Sequence, residues 1–232
     1  GLQTSGNVNV TAGSGSIMDG GDAHDDIAGG TATLDAAMGI GDGGALETAI
    51  ATLDASTTGA GDIEISETDA IDLSDVDTAN GSISVTAGGQ VTATDVDSSA
   101  TDDDANDISI TSTGDGIQAV SINAGTMGDV TLNAQSGAIT EDSTADFDDV
   151  VADVLTADAT DAITLDTTVA EMDIDTSGMS DIDLDNQNTT TLTITSLSSA
   201  GGNITLDHNE FGGSGDLSIP GTVSSGGGGT DG

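Results

Sequence analysis

The feature that most constrains this chain is a short phrase that recurs along most of its length. The phrase is a small polar residue followed by two aliphatic residues separated by one position, as in GNVNVTA from Gly6, GSISVTA from Gly81 and GDVTLNA from Gly128. Successive side chains of a strand point to opposite faces, so this alternation predicts short β-strands with one apolar face. The strands begin about every 8–13 residues, a spacing typical of all-β proteins.

The aliphatic residues of these phrases are the predicted core, because their period of two places them on one face of each strand. The predicted inward pairs are Val8/Val10, Ile63/Ile65, Ile83/Val85, Ile108/Ile110, Val120/Ile122, Val130/Leu132, Ile163/Leu165, Ile182/Leu184, Leu192/Ile194 and Ile204/Leu206.

A longer self-similarity, with an offset of about 120 residues, lies over the short phrases. The segment GNVNVTAGSGSIMD from Gly6 aligns without a gap with GDVTLNAQSGAITE from Gly128, and GSISV from Gly81 aligns with GNITL from Gly202. Repeats of short strands that cannot bury their apolar face alone indicate a stacked array. We predict two continuous units, at 1–127 and 128–221, followed by a Gly-rich tail or linker at 222–232.

The composition favours a narrow β-solenoid over a β-sandwich. Aromatic residues make up only 1% of the chain, whereas a broad sandwich core normally draws on aromatic bulk. Each turn of a parallel β-solenoid is narrow, so a single file of Ile, Val and Leu fills it. We therefore predict an all-β parallel β-solenoid (β-helix) of about 8–12 short coils. One segment predicts a helix instead of a strand. Its apolar residues lie at helical spacing and indicate a short helix near 146–155; they are Phe147, Val150, Val151, Val154 and Leu155.

Two segments resemble a known family. The motif G-[ND]-[VI]-x-[LVI]-x-A followed by S-G-[AS]-I, present at Gly6–Ile17 and Gly128–Ile139, resembles the repeats of filamentous-haemagglutinin-type exoproteins. These are bacterial surface adhesins exported by two-partner or autotransporter routes. The resemblance implies a right-handed β-helical shaft, outside the cell or at its surface, that holds adhesive parts away from it. It covers shaft repeats alone, so it implies no adhesive residue in this chain.

The charge excludes several functions. The chain has 42 Asp and Glu residues and no Lys or Arg, which gives a formal net charge of −42. Binding to nucleic acid or to anionic lipid requires cationic side chains, so we expect neither. No apolar run approaches the length of about 18 residues that would span a membrane. Cys, Tyr and Trp are also absent, which leaves few groups for catalysis, and we expect no enzyme activity.

A solenoid with this charge requires cations from its surroundings. Equivalent Asp residues of successive coils stack about 4.8 Å apart, where two unit charges repel by about 0.9 kcal/mol even in water. Either a salt-rich medium or bound divalent ions must offset this repulsion. Because Asp and Asn oxygens suit Ca²⁺, we expect it as a structural ion. The candidate ligands are Asp102, Asp104, Asn106 and Asp107, the pair Asp75/Asp77, and the pair Asp183/Asp185.

One further segment has a calcium-binding pattern. GGDAHDDIA from Gly20 is a degenerate copy of the nonapeptide that binds Ca²⁺ in β-rolls, with Ala23 at a position that requires Gly. It supports an alternative function, a calcium-triggered binding module resembling the RTX β-rolls.

Together these observations predict a non-enzymatic extracellular structural protein. It would be the shaft of a surface adhesin, or a subunit of a fibre, sheath or biofilm matrix. Uncapped end coils present unpaired N–H and C=O groups, so we expect head-to-tail self-association into filaments. Extracellular glycans or cell surfaces are the other expected partners. Ice binding through Thr rows such as Thr189–Thr193 and a polysaccharide-active enzyme remain as further alternatives.

Overall fold

The structure is a computed structural model, and it describes residues 1–22, 24–142, 149–188, 190–208 and 215–226. Within these ranges all regular secondary structure is β-strand, in a single 23-stranded sheet. None of the described residues forms a helix long and apolar enough to cross a membrane.

The strands are short, as the recurring phrase predicts. Their bounds are β1 Leu2–Gln3, β2 Val8–Ala12, β3 Ile27–Ala28, β4 Thr31–Ala36, β5 Leu46–Ala49, β6 Thr52–Ala60, β7 Ile63–Glu67, β8 Ile71–Asn80, β9 Ile83–Ala87, β10 Val91–Ala93, β11 Val96–Asp97, β12 Ile108–Ser112, β13 Ile117–Ala119, β14 Ile122–Asn123, β15 Val130–Ala134, β16 Ile139–Thr140, β17 Val150–Ala159, β18 Ile163–Thr176, β19 Ile182–Asn186, β20 Leu192–Ser199, β21 Ile204–His208, β22 Leu217–Ser218 and β23 Thr222–Ser225.

The strands stack in parallel ladders, which we group into a front ladder and a back ladder. The front ladder runs through β2, β4, β6 and β8, and then through β10 with β11. The back ladder runs through β5, β7, β9, β12 and β15. Each strand pairs with strands one coil earlier and one coil later, over about ten turns. The prediction of an all-β parallel β-solenoid is therefore confirmed, and at about 4.8 Å per turn the stack is about 50 Å long.

The interior is a set of aliphatic rows that follow the stacking direction. One row on the back ladder runs Ile63, Ile83, Ile108, Val130 and Leu155, and each of these side chains is buried. All buried apolar side chains of the described residues are Ile, Val, Leu or Ala, apart from Met172. The coil is thin enough for aliphatic side chains from two facing strands to fill it, which explains how this chain folds with so few aromatic residues.

Most of the predicted inward residues are buried. Val10, Ile204 and Leu206 are partly buried and pack against the core, whereas Val120 does not belong to it. Val120 is half-buried because it lies at the corner between β13 and β14, and the inward positions there belong to Ile117, Ala119 and Ile122. The phrase at this point spans a bend rather than one straight strand, so its period of two is interrupted.

The helix predicted near 146–155 is wrong for the part that the structure describes. Residues from Val150 onward form β17, which pairs in parallel with β14 and then with β15. Stacking on neighbouring strands satisfies the backbone groups and overrides the helical spacing of the aliphatic residues. The first residues of that prediction, 146–148, lie outside the described residues. In the predicted tail at 222–232, Thr222–Ser225 forms β23 on β20, and 227–232 lie outside the described residues.

The two sequence repeats are related by a half-turn in addition to a translation. The strand that follows Gly6, β2, lies on the front ladder, but its counterpart after Gly128, β15, lies on the back ladder. The second aligned pair shows the reverse, since β9 lies on the back ladder and β21 on the front. The offset of about 120 residues therefore corresponds to a half-integral number of turns, and the two sides of the coil can exchange roles.

An inward residue and its outward neighbour on β15 provide a matched test of this packing. Leu132 is fully buried and Thr131 is exposed. We expect Leu132→Ala to lower the free energy of unfolding by about 2–5 kcal/mol, because it opens a cavity that the stacked coils cannot close. Thr131→Ala should change it by less than about 0.5 kcal/mol. Chemical denaturation followed by circular dichroism measures both, and equal losses would contradict the assigned register.

Candidate cation-binding site

The outward positions of the front ladder carry a cluster of carboxylates. Register places Asp54 beside Asp75, and Asp77 beside Asp97. Asp95 completes the set, since it precedes the Val96 that pairs with Val76. We call Asp54, Asp75, Asp77, Asp95 and Asp97 the acidic patch. It contains the predicted pair Asp75/Asp77, on one strand and two residues apart, so both side chains point outward together.

The acidic patch contains a carboxyl group with a strongly raised pKa. Partial burial, a side-chain hydrogen bond with Asp75 and then the charges of Asp75 and its neighbours raise the pKa of Asp77 to about 6. Burial, followed by the charge of Asp75, also raises the pKa of Asp54 and of Asp95. These carboxyl groups therefore retain protons more readily than an ordinary Asp, as expected for like charges with no Lys or Arg to oppose them.

The predicted ligands at 102–107 serve other purposes in the structure. Asp102 binds the loop of the next coil, where its carboxylate accepts hydrogen bonds from the Thr126 and Met127 N–H groups, each at 2.9 Å, and from the Thr126 hydroxyl at 2.7 Å. The hydroxyl bond is the main reason that the pKa of Asp102 is lowered. Asn106 is buried and donates to the Thr101 carbonyl at 2.6 Å, while Asp104 is exposed.

Asp107 belongs to a recurring arrangement at the start of the strands. It accepts a hydrogen bond from the N–H of Asp129, the equivalent residue one coil later, at 3.0 Å. Asp129 likewise accepts from the Val154 N–H at 3.2 Å, and Asp181 from the Asn203 N–H at 2.7 Å. This explains why Asp is frequent just before the first inward aliphatic residue. Backbone donors of the next coil stabilise these carboxylates, although burial outweighs this effect at Asp129 and raises its pKa.

The predicted pair Asp183/Asp185 is divided between two rows of outward residues that follow the stacking direction. Asp183 is exposed and lies between Thr164 and Thr205, which carry no charge. Asp185 lies in a row of three acids, between Asp166 on the preceding coil and Asp207 on the following one.

The structure also forms two sets of acids that sequence analysis did not select. Within each set, one carboxylate oxygen per residue lies within 4.8 Å of the others, and no further set of three appears among the described residues. The first set is Asp19, Asp26 and Glu47, and the second is Glu141, Asp149 and Asp166. In the second set, Asp149 is buried and accepts a hydrogen bond from the Asp166 N–H at 3.0 Å. In each set two members lie within about eight residues of each other and the third follows about one coil later, so only the stacking register reveals the set.

Glu67 is a buried carboxylate that has its own donors. It accepts hydrogen bonds from the Thr48 hydroxyl at 2.7 Å, from the Ile50 N–H at 3.1 Å and from the Asp69 N–H at 3.1 Å. In the second repeat, Asn186 occupies the equivalent position and accepts from the Thr167 hydroxyl at 2.9 Å and the Val169 N–H at 3.0 Å. The same polar corner is therefore built twice, once with a carboxylate and once with an amide.

Comparison with known proteins identifies no relative. No protein-family model, curated protein or solved structure matches the chain. The resemblance to filamentous-haemagglutinin-type repeats therefore rests on the motifs at Gly6–Ile17 and Gly128–Ile139 and on the β-solenoid fold.

The two versions of the polar corner predict how Glu67 can be replaced. Burial raises the pKa of Glu67, although its hydrogen bonds oppose that shift. The folded chain therefore binds this proton more readily than the unfolded chain, and the free energy of unfolding falls as pH rises through the window above 4.5, the group's ordinary pKa.

Glu67→Gln, which imitates Asn186, should preserve stability at pH 7 and reduce this pH dependence. Glu67→Ala should cost about 1–3 kcal/mol, because it leaves buried donors without an acceptor. Denaturation at several pH values measures both, and equal losses for Gln and Ala would contradict the assigned role.

The acidic patch predicts a second effect of pH. Because the pKa of Asp77 in the folded chain is about 6 rather than the ordinary 3.8, protonation stabilises the fold as pH falls through this window. The free energy of unfolding should decrease as pH rises from about 4 to about 7. Asp77→Asn should raise it at pH 7 by about 1 kcal/mol, after allowance for solvent screening of a partly exposed group, or by about 2–4 °C in the melting temperature.

Asp183→Asn is the matched control for that experiment, since it removes one charge from an exposed position between two Thr residues. Thermal melts at low and at high salt measure both variants. If Asp183→Asn stabilised the protein as much as Asp77→Asn, total charge rather than the acidic patch would be responsible.

Proposed function

We propose that this chain is a non-enzymatic extracellular structural segment, the shaft of a surface adhesin or a subunit of a fibre, sheath or biofilm matrix. The observation that carries the proposal is the fold itself, about ten parallel coils that share continuous aliphatic rows. Such a stack can be extended into a long shaft, because every coil repeats the contacts of the one before it. The family motifs at Gly6–Ile17 and Gly128–Ile139 support the adhesin-shaft form of the proposal.

Cations stabilise the shaft in this proposal. Part of the acidity is compensated within the chain, as at Asp102 and Asp107, but the acidic patch contains clustered carboxylates with raised pKa values. Lowering the ionic strength from about 0.15 M to about 0.01 M lengthens the screening distance from about 8 Å to about 30 Å. Repulsion between coils should then increase and the melting temperature should fall.

Head-to-tail association with a second copy is the expected mode of assembly. In the first and last described coils, residues at inward register positions are about half exposed. Leu2 is 53% exposed although its partner Ile27 is 3% exposed, and Val223 is 48% exposed although its partner Leu197 is 2% exposed. A further coil stacked on them would cover these side chains and pair the strand edges there, and in this proposal another copy supplies that coil. Glycans or other cell surfaces are the proposed targets of the assembled fibre.

The alternative, a calcium-triggered module resembling the RTX β-rolls, is favoured by one observation. Asp26, from the nonapeptide-like segment that begins at Gly20, is a member of a three-carboxylate set. Under this alternative Ca²⁺ would be required for folding, whereas under the shaft proposal it would only add stability.

Electron microscopy and circular dichroism test the proposal. With Ca²⁺ present we expect rods about 50 Å long, or filaments built from them. Chelation with EDTA at constant ionic strength should lower the melting temperature but leave the β signal at room temperature. Loss of the β signal on chelation would favour the calcium-triggered module. Rounded monomers at high protein concentration, with or without Ca²⁺, would contradict the structural function.

A further inference from the structure

We propose that Asp19, Asp26 and Glu47 form a binding site for one divalent cation of Ca²⁺ size, which joins the first coils of the solenoid. This inference rests on the proposed cation-stabilised shaft and assigns it a specific site. The site differs from the acidic patch and from the candidate ligands at 75–77, 102–107 and 183–185, although Asp26 belongs to the nonapeptide-like segment from Gly20. It lies on the back ladder.

The fold brings the three residues together from separate parts of the chain. Asp26 directly precedes β3 and its N–H donates to the Glu47 carbonyl at 2.7 Å, so the two acids lie side by side on adjacent coils. Asp19 comes from the loop that precedes β3, and one of its oxygens accepts from the Gly21 N–H at 2.9 Å. The Asp19 carboxylate lies beside Gly44, three residues before Glu47, so it reaches the other two.

The separations suit a single ion. One oxygen from each residue lies within 4.8 Å of the others. Calcium–oxygen bonds are about 2.3–2.6 Å long, so two ligands on opposite sides of the ion are about 4.6–5.2 Å apart. Three carboxylates can therefore hold one ion, and solvent can supply the remaining ligands. Mg²⁺ requires bonds of about 2.0–2.1 Å and near-octahedral geometry, and it dehydrates reluctantly.

A second observation points to a ligand at this site. Asp26 Oδ2 and Glu47 Oε2 each have less than 1 Å² of accessible surface and no hydrogen-bond partner. An oxygen shielded from water without a donor is costly for a carboxylate, and the chain has no Lys or Arg to neutralise it. This pairing of shielding with missing donors distinguishes the set from the exposed acids elsewhere on the surface. Burial, followed by the charge of Asp19, also raises the pKa of Glu47.

Gly44 permits the approach of the third ligand. A Cβ atom at this position would lie 2.9 Å from Asp19 Oδ2, which is closer than ordinary contact. Gly44→Ala would therefore displace the Asp19 carboxylate while leaving the net charge of the chain unchanged. This variant separates the geometry of the site from the amount of negative charge.

The experiment measures calcium binding to the full chain by isothermal titration calorimetry, with thermal melts in parallel. The chain is first treated with EDTA, and ionic strength is held constant through additions of CaCl₂ or MgCl₂. We expect Glu47→Gln to weaken calcium binding at this site at least about tenfold, since it removes one of three charged ligands. Gly44→Ala should weaken it in the same direction. Asp161→Asn, which removes one exposed charge elsewhere, should bind Ca²⁺ like the unaltered chain, and Mg²⁺ should bind more weakly than Ca²⁺.

Three results would overturn the assignment. If Glu47→Gln and Asp161→Asn responded equally to Ca²⁺, binding would be diffuse, and the cation-stabilised shaft would stand without this site. If Glu47→Gln were more stable than the unaltered chain in EDTA and Ca²⁺ stabilised neither, a proton rather than a metal would occupy the cluster. If Asp26→Asn also left calcium binding unchanged, the cluster would not be the site even if another variant had failed to fold. Loss of rods in the microscope, by contrast, would contradict the shaft and not the site.

Discussion

The spacing of stacked coils is the constraint on which the rest of this structure depends. Parallel stacking places each residue about 4.8 Å from its equivalent in the next coil. For aliphatic residues this spacing is favourable, and it produces the continuous interior row through Ile83, Ile108 and Val130. For acids it is unfavourable: burial and the same-strand neighbour Asp75 raise the pKa of Asp77, and the charge of Asp97, its equivalent in the next coil, adds to that shift. The same spacing therefore stabilises the interior and contributes to the sensitivity of the exterior to ions and pH.

The chain reduces part of the electrostatic cost through its own backbone. Asp residues at the start of strands accept hydrogen bonds from the N–H groups of the next coil, as Asp107 does from Asp129 and Asp181 does from Asn203. These bonds connect neighbouring coils and stabilise the charged form of the carboxylate. The acids therefore fall into two kinds. Some are compensated locally, and others, at the acidic patch and at the Asp19, Asp26 and Glu47 cluster, are grouped where external cations would be most effective.

The half-turn between the two sequence repeats has a physical basis in the similarity of the two ladders. Both ladders are parallel, have an aliphatic inner face and are joined by short turns, so a repeat unit can place the same phrase on either side. The polar corner shows this directly. Glu67 lies on the back ladder and Asn186 on the front, yet both accept a Thr hydroxyl and the N–H two residues beyond that Thr. A thin coil with two nearly equivalent sides tolerates such an exchange at little structural cost.

The sequence by itself determined the strand phrases, the inward aliphatic residues, the repeat and the solenoid class, because these follow from local periodicity and composition. It also placed Asp75 and Asp77 on one face, since two acids at alternate positions of one strand must share it, and their role as ligands stays a prediction. Only the tertiary structure decided which distant residues become neighbours. Turn lengths vary from coil to coil, so sequence alone could not bring Asp19 and Asp26 to Glu47, or predict that Asp102 binds the loop at Thr126 instead of an ion. Val150 lies in a strand although its local spacing favoured a helix. Pairing with the strands on either side outweighs the local preference.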